Sequence, residues 1–202
     1  MGRKRSVLFL VFFGGAAVGV GEVAACSRAA LEATCPALAA GELVITEIRG
    51  QQTGADELGQ WIELENASGA SVDLEGLEMH FQKLDGSAPA TVVVRARRVV
   101  AAGAYAGLGR FPAGDEPAYV TYGFAGDFPS NLYAAGTIDL IACDVLIDRV
   151  SYADLPGQGS LALDGSVAPD AVANDDPQAW CVDAGGDGHP GTPLERNPAC
   201  AP

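Results

Sequence analysis

The segment 42-ELVITEIR-49 places its side chains alternately on two faces, and the segment 60-QWIELE-65 follows the same rule. A period of two is typical of β-strands. We expect Leu43 and Ile45 to share one face of the first strand and Ile48 to lie on the other. Both segments are therefore predicted to be strands that bury a common core.

A third strand is predicted over residues 72–81, where the apolar pattern changes parity at Gly76. A bulge or kink at this glycine would keep the apolar residues on both sides of it facing one core. In the second strand, Ile62 and Leu64 are expected to face that core, opposite Trp61 and the acidic residues.

Four more strands are predicted further along the chain, over residues 91–100, 137–142, 145–153 and 160–163. The second and third of these form a hairpin around residues 143–144. Beyond the last strand, the acidic chain is expected to be irregular. The predicted strand over residues 91–100 carries the basic cluster of the mature chain, Arg95, Arg97 and Arg98. We interpret this cluster as a solvated face or as edge protection.

The segment 103–136 is rich in glycine and aromatic residues. We predict long loops that cover the core, with a short strand near residues 119–122, because aromatic side chains commonly pack as lids. The aromatic residues are Tyr105, Phe111, Tyr119, Tyr122, Phe124, Phe128 and Tyr133.

The N-terminus has the pattern of an export signal. Basic residues at 3–5 precede a short apolar run at 7–13 and then small residues. This order is typical of a secretory signal peptide, and the run is shorter than the ~20 residues of a membrane-spanning helix. The sequence 23-VAAC-26 matches a lipobox, which predicts cleavage after residue 25 and lipid on Cys26. Cleavage before an unmodified Cys26 is the alternative.

The chain has five cysteines, an awkward odd number in an oxidising compartment. If Cys26 carries lipid, four remain. We pair Cys181 with Cys200 in the irregular C-terminal segment, and Cys35 with Cys143 at the hairpin tip. Two other connectivities stay open. No C-x-x-C spacing occurs, so a metal or redox role is not favoured.

The chain is strongly acidic, with a net charge of −14. Removal of residues 1–25 takes away three basic residues and Glu22, which gives −16 for the mature chain. This charge opposes binding to nucleic acid, where affinity comes from neutralising phosphates, and it opposes adhesion to anionic lipid headgroups. It is consistent with solubility through self-repulsion.

Five motifs in order resemble the lamin tail domain family and cover residues 42–198. In that family V-I-T-E-I leads to W-I-E-L-x-N and V-D-L-x-G-W, and a later V-D-S-V-x-Y strand precedes a closing G-T-P-G-x-x-N. Two departures are Leu77, where the family usually has tryptophan, and Leu194, where it has a second glycine. The matching segments are 43-LVITEI-48, 60-QWIELEN-66, 72-VDLEGL-77, 147-IDRVSY-152, and Gly191-Thr192-Pro193 with Asn197.

The resemblance implies an all-β, immunoglobulin-like β-sandwich with long loops and a disulfide-stapled C-terminal segment. In bacteria the family occurs in exported proteins, alone or attached to hydrolases, as an interaction or anchoring module. It implies structural roles for the motif residues, with Trp61 in the core and turns shaped by Asn66 and Gly76. Gly191 and Pro193 belong to the closing motif.

A catalytic constellation is not evident in the sequence. The two histidines are His80, on a predicted strand, and His189, in a predicted turn, and no G-x-S-x-G elbow or phosphate-binding loop occurs. We expect no cofactor. Oxygen-rich side chains near the C-terminus are weak calcium candidates without EF-hand spacing. They are Asp170, Asn174, Asp175, Asp176, Asp183 and Asp187.

We therefore predict a signal peptide (1–25), a lipid-anchored tether (26–41) and one sandwich domain (42–200). The predicted function is a non-catalytic interaction or structural module of the bacterial envelope, most simply at the outer membrane. Its partner would be an envelope protein or a surface glycan. The alternatives are a calcium- or carbohydrate-dependent binding protein that uses the aromatic loops, and an unrecognised hydrolase.

Overall fold

The computed structural model describes residues 34–54, 56, 58–185 and 191–201. Regular structure in these residues consists of β-strands and two short 3₁₀ turns. No helix in this part of the chain is long and apolar enough to cross a membrane. The predicted signal peptide and Cys26 lie outside the described residues.

The strands follow one another along the whole domain. In chain order they are β1 (Leu43–Arg49), β2 (Trp61–Asn66), β3 (Val72–Asp73), β4 (Glu78–Gln82), β5 (Ala90–Val93), β6 (Val99–Val100), β7 (Tyr105–Gly109), β8 (Tyr122–Gly123), β9 (Gly136–Ala142), β10 (Val145–Tyr152), β11 (Ser160–Leu163) and β12 (Trp180–Asp183). The 3₁₀ turns are Ala173–Asp175 and Pro177–Ala179.

Two sheets form the layers of a β-sandwich. The larger sheet has the order β12-β11-β1-β2-β7-β8, the smaller has the order β10-β9-β4-β5, and β3 pairs separately with β6. The β7–β8 pair is parallel, whereas the other pairs are antiparallel. The predicted all-β sandwich with long loops and a disulfide-stapled C-terminus is confirmed.

One hydrophobic core joins the strands of both sheets. Leu64 of β2, Phe81 of β4 and Leu140 of β9 are almost completely buried in it. The Phe81 ring stacks on Phe128 with 4.9 Å between ring centroids. Each large apolar side chain buried in this way contributes roughly 1.5–3 kcal/mol to folding.

The first strand contains a bulge that the sequence pattern did not predict. The register of β1 against β2 shifts between Ile45 and Glu47. A bulge adds one residue to a strand and reverses the faces of the residues that follow it. Ile48 therefore joins Leu43 and Ile45 in the core, and the prediction that it lies on the opposite face is wrong.

The predicted strand over residues 72–81 is two strands in different sheets. Gly76, with φ +87°, lies in the turn between β3 and β4. Val72 and Leu74 before it and Leu77 after it all reach the same core, as the parity change predicted. The irregularity at Gly76 is thus a turn, and the prediction of a bulge within one strand is wrong.

The predicted strand over residues 91–100 is also divided, into β5 and β6. Its arginines lie on the connecting segment, where each has a partner. The Arg95 guanidinium pairs with Asp127, Arg97 Nε donates to Asp73 at 3.0 Å, and Arg98 Nε donates to a backbone carbonyl at 2.7 Å. The basic cluster therefore lies on a connection between two strands, with two of its arginines paired with aspartates and the third bonded to a backbone carbonyl.

The remaining predictions are met in part. The hairpin is present as β9 and β10, and β11 forms where a short strand was predicted. The strand predicted near residues 119–122 is β8, at Tyr122–Gly123. Two strands are additional: β7 lies in the segment predicted as loops, and β12 lies in the C-terminal segment predicted as irregular.

Candidate functional site

A disulfide ties the chain before β1 to the tip of the β9–β10 hairpin. Cys35 bonds to Cys143 over 108 residues of sequence, with 5.5 Å between the Cα atoms. Cys143 and Asp144 have φ of 49° and 64°. Two consecutive positive φ values are what a tight two-residue hairpin loop requires. The N-terminal segment is thereby fixed to a well-defined turn.

Residues 34–41, the end of the predicted tether, lie against the sandwich. Leu38 packs on the hydrophobic core. Gly41 N donates to Ile147 O of β10 at 2.8 Å. The Thr34 carbonyl passes so close to Gly76 that a Cβ at that glycine would lie 1.7 Å from its oxygen. The path of the chain into β1 is thus defined by several independent contacts.

At the other end of the chain, residues 191–200 form a C-terminal strap across the larger sheet. The strap ends at Cys200, which bonds to Cys181 of β12 with 5.7 Å between Cα atoms. Asn197 is buried, and its Nδ2 donates to Thr46 O at 2.7 Å and Leu163 O at 3.0 Å. Both predicted disulfide pairings are therefore present in the structure.

Two acidic side chains lie under this strap. Glu47 of β1 and Glu63 of β2 are directly opposite each other in the β1–β2 ladder, and both are 0 % exposed. Neither belongs to the apolar core, so both occupy the sheet face that the strap covers. No salt bridge among the described residues includes either carboxylate.

Hydrogen bonds from the strap reach both carboxyl groups. Thr192 N donates to Glu47 Oε1 at 3.2 Å, and Leu194 N donates to Glu63 Oε2 at 2.5 Å. The sheet adds one hydroxyl to each: the Ser160 hydroxyl bonds to Glu47, and Thr46 Oγ1 donates to Glu63 Oε1 at 2.9 Å. The strap is held to the sheet through these acids.

Burial disfavours the ionised form of both acids. Loss of hydration raises the pKa of Glu47 to about 7, against the opposing effect of the Ser160 hydrogen bond. Loss of hydration and the neighbouring Glu47 raise the pKa of Glu63 to about 9. Two like charges side by side in such a site are unfavourable, so the pair retains a proton at neutral pH.

The predicted motif residues have structural positions. Trp61 is fully buried, as the resemblance implied, and it lies under the strap beside Gly191. Asn66 closes a turn: its Nδ2 donates to Ala70 O at 2.8 Å and its Oδ1 accepts from the backbone. Pro193 lies within the strap, half-buried.

The structure does not bring the weak calcium candidates together. Asp170, Asp176 and Asp183 each accept a hydrogen bond from a backbone N–H two residues ahead. Asn174 points inward, whereas its neighbour Asp175 is exposed. Asp187 lies outside the described residues. Within the described part of the chain, no group of three acidic, cysteine or histidine side chains could hold a metal ion.

The aromatic residues of the covering loops are turned inward. Tyr122, Phe124 and Phe128 are buried in the core, and Tyr133 packs against it. The other aromatic residues of this segment are at least half-buried. The aromatic side chains therefore pack as lids on the core, with Tyr122, Phe124 and Phe128 the most deeply buried.

A surface groove of about 670 Å³ lies beside the hairpin, between β10 and the loop that precedes the first 3₁₀ turn. Leu146 and Val172 on its walls are 42 % and 80 % exposed. Asp148 is buried in the groove, where its Oδ2 accepts from Ile45 N at 2.7 Å and from Asn174 Nδ2 at 2.9 Å. Loss of hydration raises the pKa of Asp148 to about 6.

Neither the known protein-family models nor the curated proteins match this chain. Its function is therefore inferred from the sequence motifs and from the geometry described above.

Proposed function

We propose that the chain is a lipid-anchored, non-catalytic interaction or structural module of the bacterial cell envelope, with the fold of a lamin tail domain. The observation that carries the proposal is the Cys35–Cys143 disulfide. It follows the predicted lipidation site, Cys26, by only nine residues. A membrane anchor at Cys26 would thus be joined to the folded domain through a short segment whose end is fixed by the Cys35–Cys143 disulfide.

The two disulfides favour an exported protein. Structural disulfides persist in oxidising compartments and are rare in the cytosol. Here they use four of the five cysteines and leave Cys26 for lipid. This division agrees with the lipobox, because one cysteine is needed at the cleavage site and an even number is needed in the domain.

The surroundings of His80, the histidine among the described residues, support a non-catalytic role. His80 lies on β4, and its Nε2 is 2.7 Å from Glu78 Oε2 at a half-exposed position. No hydroxyl or thiol among the described side chains hydrogen-bonds to it. A nucleophilic mechanism would need such a partner. The buried acid pair is bonded to the strap and offers no open cleft for a substrate.

The acidic surface favours a protein or glycan partner over nucleic acid. Lys83 lies near the Tyr133 ring, and the described arginines that form salt bridges pair with aspartates of the same chain. Few positive charges remain to neutralise phosphates, which dominate affinity for nucleic acid. We infer that the partner is an envelope protein or a surface glycan.

The anchoring part of the proposal is tested on the N-terminus of the full chain produced in a bacterial host. We expect mass spectrometry to find a mature protein that begins at acylated Cys26 and fractionates with membranes. Two or more acyl chains would give stable anchoring, whereas one binds only marginally. Because Ser27 is not aspartate, the outer membrane is the expected location where one exists.

Cys26→Ala is the matched variant for this experiment. It should remain unprocessed by the lipoprotein route and should lose the acyl mass, while both disulfides of the domain still form. An unmodified Cys26 in the wild-type protein would contradict the anchor. The non-catalytic role is tested separately by a hydrolase screen of the purified domain, where turnover above background would contradict it.

A further inference from the structure

The C-terminal strap is held by two acids that cannot both be charged at low cost. Glu47 and Glu63 are directly opposite each other, fully buried, and each accepts a hydrogen bond from a backbone N–H of the strap. Ionisation of both would place two negative charges on neighbouring strands at positions closed to bulk solvent. The closed position of the strap is therefore favourable only while at least one of the two carboxyl groups is protonated.

The groups that face the pair do not supply a compensating charge. Ser160 of β11 and Thr46 of β1 are neutral hydroxyls. Asp183 of β12 and Glu65 of β2 add negative charge nearby. Tyr105 of β7, which is neutral, faces Glu65 and Glu63. The positively charged Arg196 of the strap lies near Tyr105, and its Nη2 donates to Val167 O at 3.0 Å rather than to either acid. Asp187 and His189 lie outside the described residues.

We propose that the Glu47–Glu63 pair is a proton-operated latch, which holds the C-terminal strap on the sheet while the pair keeps a proton and releases it when both carboxyl groups ionise. This inference does not depend on the proposed anchor. The released strap would remain attached as a loop, because the Cys181–Cys200 disulfide joins its end to β12. Opening would uncover Trp61, which the closed strap hides.

The direction of the pH effect follows from linkage. Folded-state pKa values of about 7 and about 9 lie above the ordinary value of 4.5, so the closed strap binds protons more tightly than the open one. The stabilisation is complete below the ordinary value, falls as pH rises through the two folded-state values, and levels off above about 9.

Hydrogen exchange of the full mature chain, followed by mass spectrometry, tests the latch. Between about pH 7 and about pH 9, we expect protection of the strap amides to fall about tenfold per pH unit after correction for intrinsic exchange, since one proton leaves on opening. Peptides from β9 should keep constant protection over the same range. A fall in β9 as large as that in the strap would overturn the proposal.

Three variants identify the titrating group. Glu63→Gln keeps one acceptor oxygen for Leu194 N, its amide group can donate to the Thr46 hydroxyl, and it cannot ionise, so its strap protection should be constant above about pH 7. Glu78→Gln, a half-exposed acid on β4, should behave as the wild type. His189→Gln should also keep the wild-type profile, and a flat profile in this variant would assign the effect to the imidazole and overturn the latch.

Other results would also overturn the proposal. Strap protection that stays constant with pH in the wild type would contradict the latch. So would strap protection that falls with pH in Glu63→Gln as steeply as in the wild type. Restored protection at about pH 9 on addition of about 1 mM calcium would show that the acids bind a cation instead of a proton. If Glu63→Gln does not fold, the accessibility of Trp61 to a collisional quencher in Trp180→Phe should rise over the same pH range, and constant accessibility would contradict the latch.

Discussion

The Thr34 carbonyl oxygen lies against Gly76 at a distance that leaves no room for a side chain. A Cβ at Gly76 would meet this oxygen at 1.7 Å and the Cys35 Cα at 2.7 Å. Gly76 also has φ +87°, which side chains disfavour. Gly76 therefore forms the turn between β3 and β4, and it also leaves room for Thr34 and Cys35 to pass over this turn toward the Cys35–Cys143 disulfide.

Gly76→Ala should be among the more damaging single substitutions in the domain. We expect a loss of about 3 kcal/mol, from backbone strain and from displacement of the Thr34 segment. Urea unfolding measures it. Gly103→Ala is the control, because Gly103 also has positive φ (+71°) but has open space at the Cβ position, so about 1 kcal/mol is expected. Equal losses would mean that Thr34 does not lie against Gly76.

The two disulfides should contribute unequally to stability. Cys35–Cys143 spans 108 residues and Cys181–Cys200 spans 19. In the chain-entropy model the longer loop gives about 1.5 kcal/mol more, so the Cys35→Ser/Cys143→Ser protein should be the less stable of the two double variants. Chemical unfolding of both measures the difference. Non-reducing peptide mapping checks the pairing, which a Cys35–Cys200 or Cys143–Cys181 peptide would contradict.

Asn174, one of the weak calcium candidates, should be important for stability. Its Nδ2 donates to Ile45 O at 3.2 Å and to Asp148 Oδ2 at 2.9 Å in a fully buried position. Asn174→Ala leaves the buried Asp148 with one donor fewer, and we expect a loss of about 2 kcal/mol in thermal or urea unfolding. Gln178→Ala, at an exposed position, should lose about 0.5 kcal/mol. A similar loss of unfolding free energy in both variants would contradict the inference that the buried hydrogen bonds of Asn174 stabilise the domain.

Asp148 should make the domain less stable as pH rises from about 4 to about 7. Its pKa in the folded state, about 6, exceeds the ordinary 3.8, so the contribution is present below the ordinary value and is lost as pH passes through 6. Over this range the stability of wild type relative to Asp148→Asn should fall by about 2 kcal/mol. Unfolding at several pH values measures the slopes. Parallel curves for the two proteins would contradict the shifted pKa.

The strands that a sequence pattern could predict are those with a regular alternation of apolar residues. β2 and the β9–β10 hairpin are of this kind. β7 was missed because Tyr105–Gly109 has two glycines, which weaken a strand prediction. The structure explains them: a Cβ at Gly107 would lie 2.4 Å from the Tyr119 carbonyl oxygen, so close backbone packing requires glycine there. Such tertiary requirements are not visible in local sequence.

The candidate site was predictable only at its cysteines. Their number and positions indicated both disulfides. Glu63 had the pattern of a solvent-facing residue, whereas Glu47 lies on the same face as Glu63 only because of the bulge after Ile45, which the alternation did not predict. Their burial arises because the strap returns later in the chain to cover that face, with Thr192 bonded to Glu47 at a separation of 145 residues and Leu194 bonded to Glu63 at 131. The resemblance of residues 191–197 to a closing motif was the one signal in the sequence that this segment has a defined place.

The Cys35–Cys143 bond also determines how the domain responds to tension. A pull on the chain before Cys35 passes through the disulfide to the turn between β9 and β10. β9 is paired on both sides, with β10 and β4, so the force enters a strand within a sheet. β1 is reached from Cys35 only through residues 36–42, so the disulfide is the shorter covalent path into the sandwich. A pull from the N-terminal side therefore enters the smaller sheet at Cys143, whereas the buried acids and the C-terminal strap belong to the larger sheet.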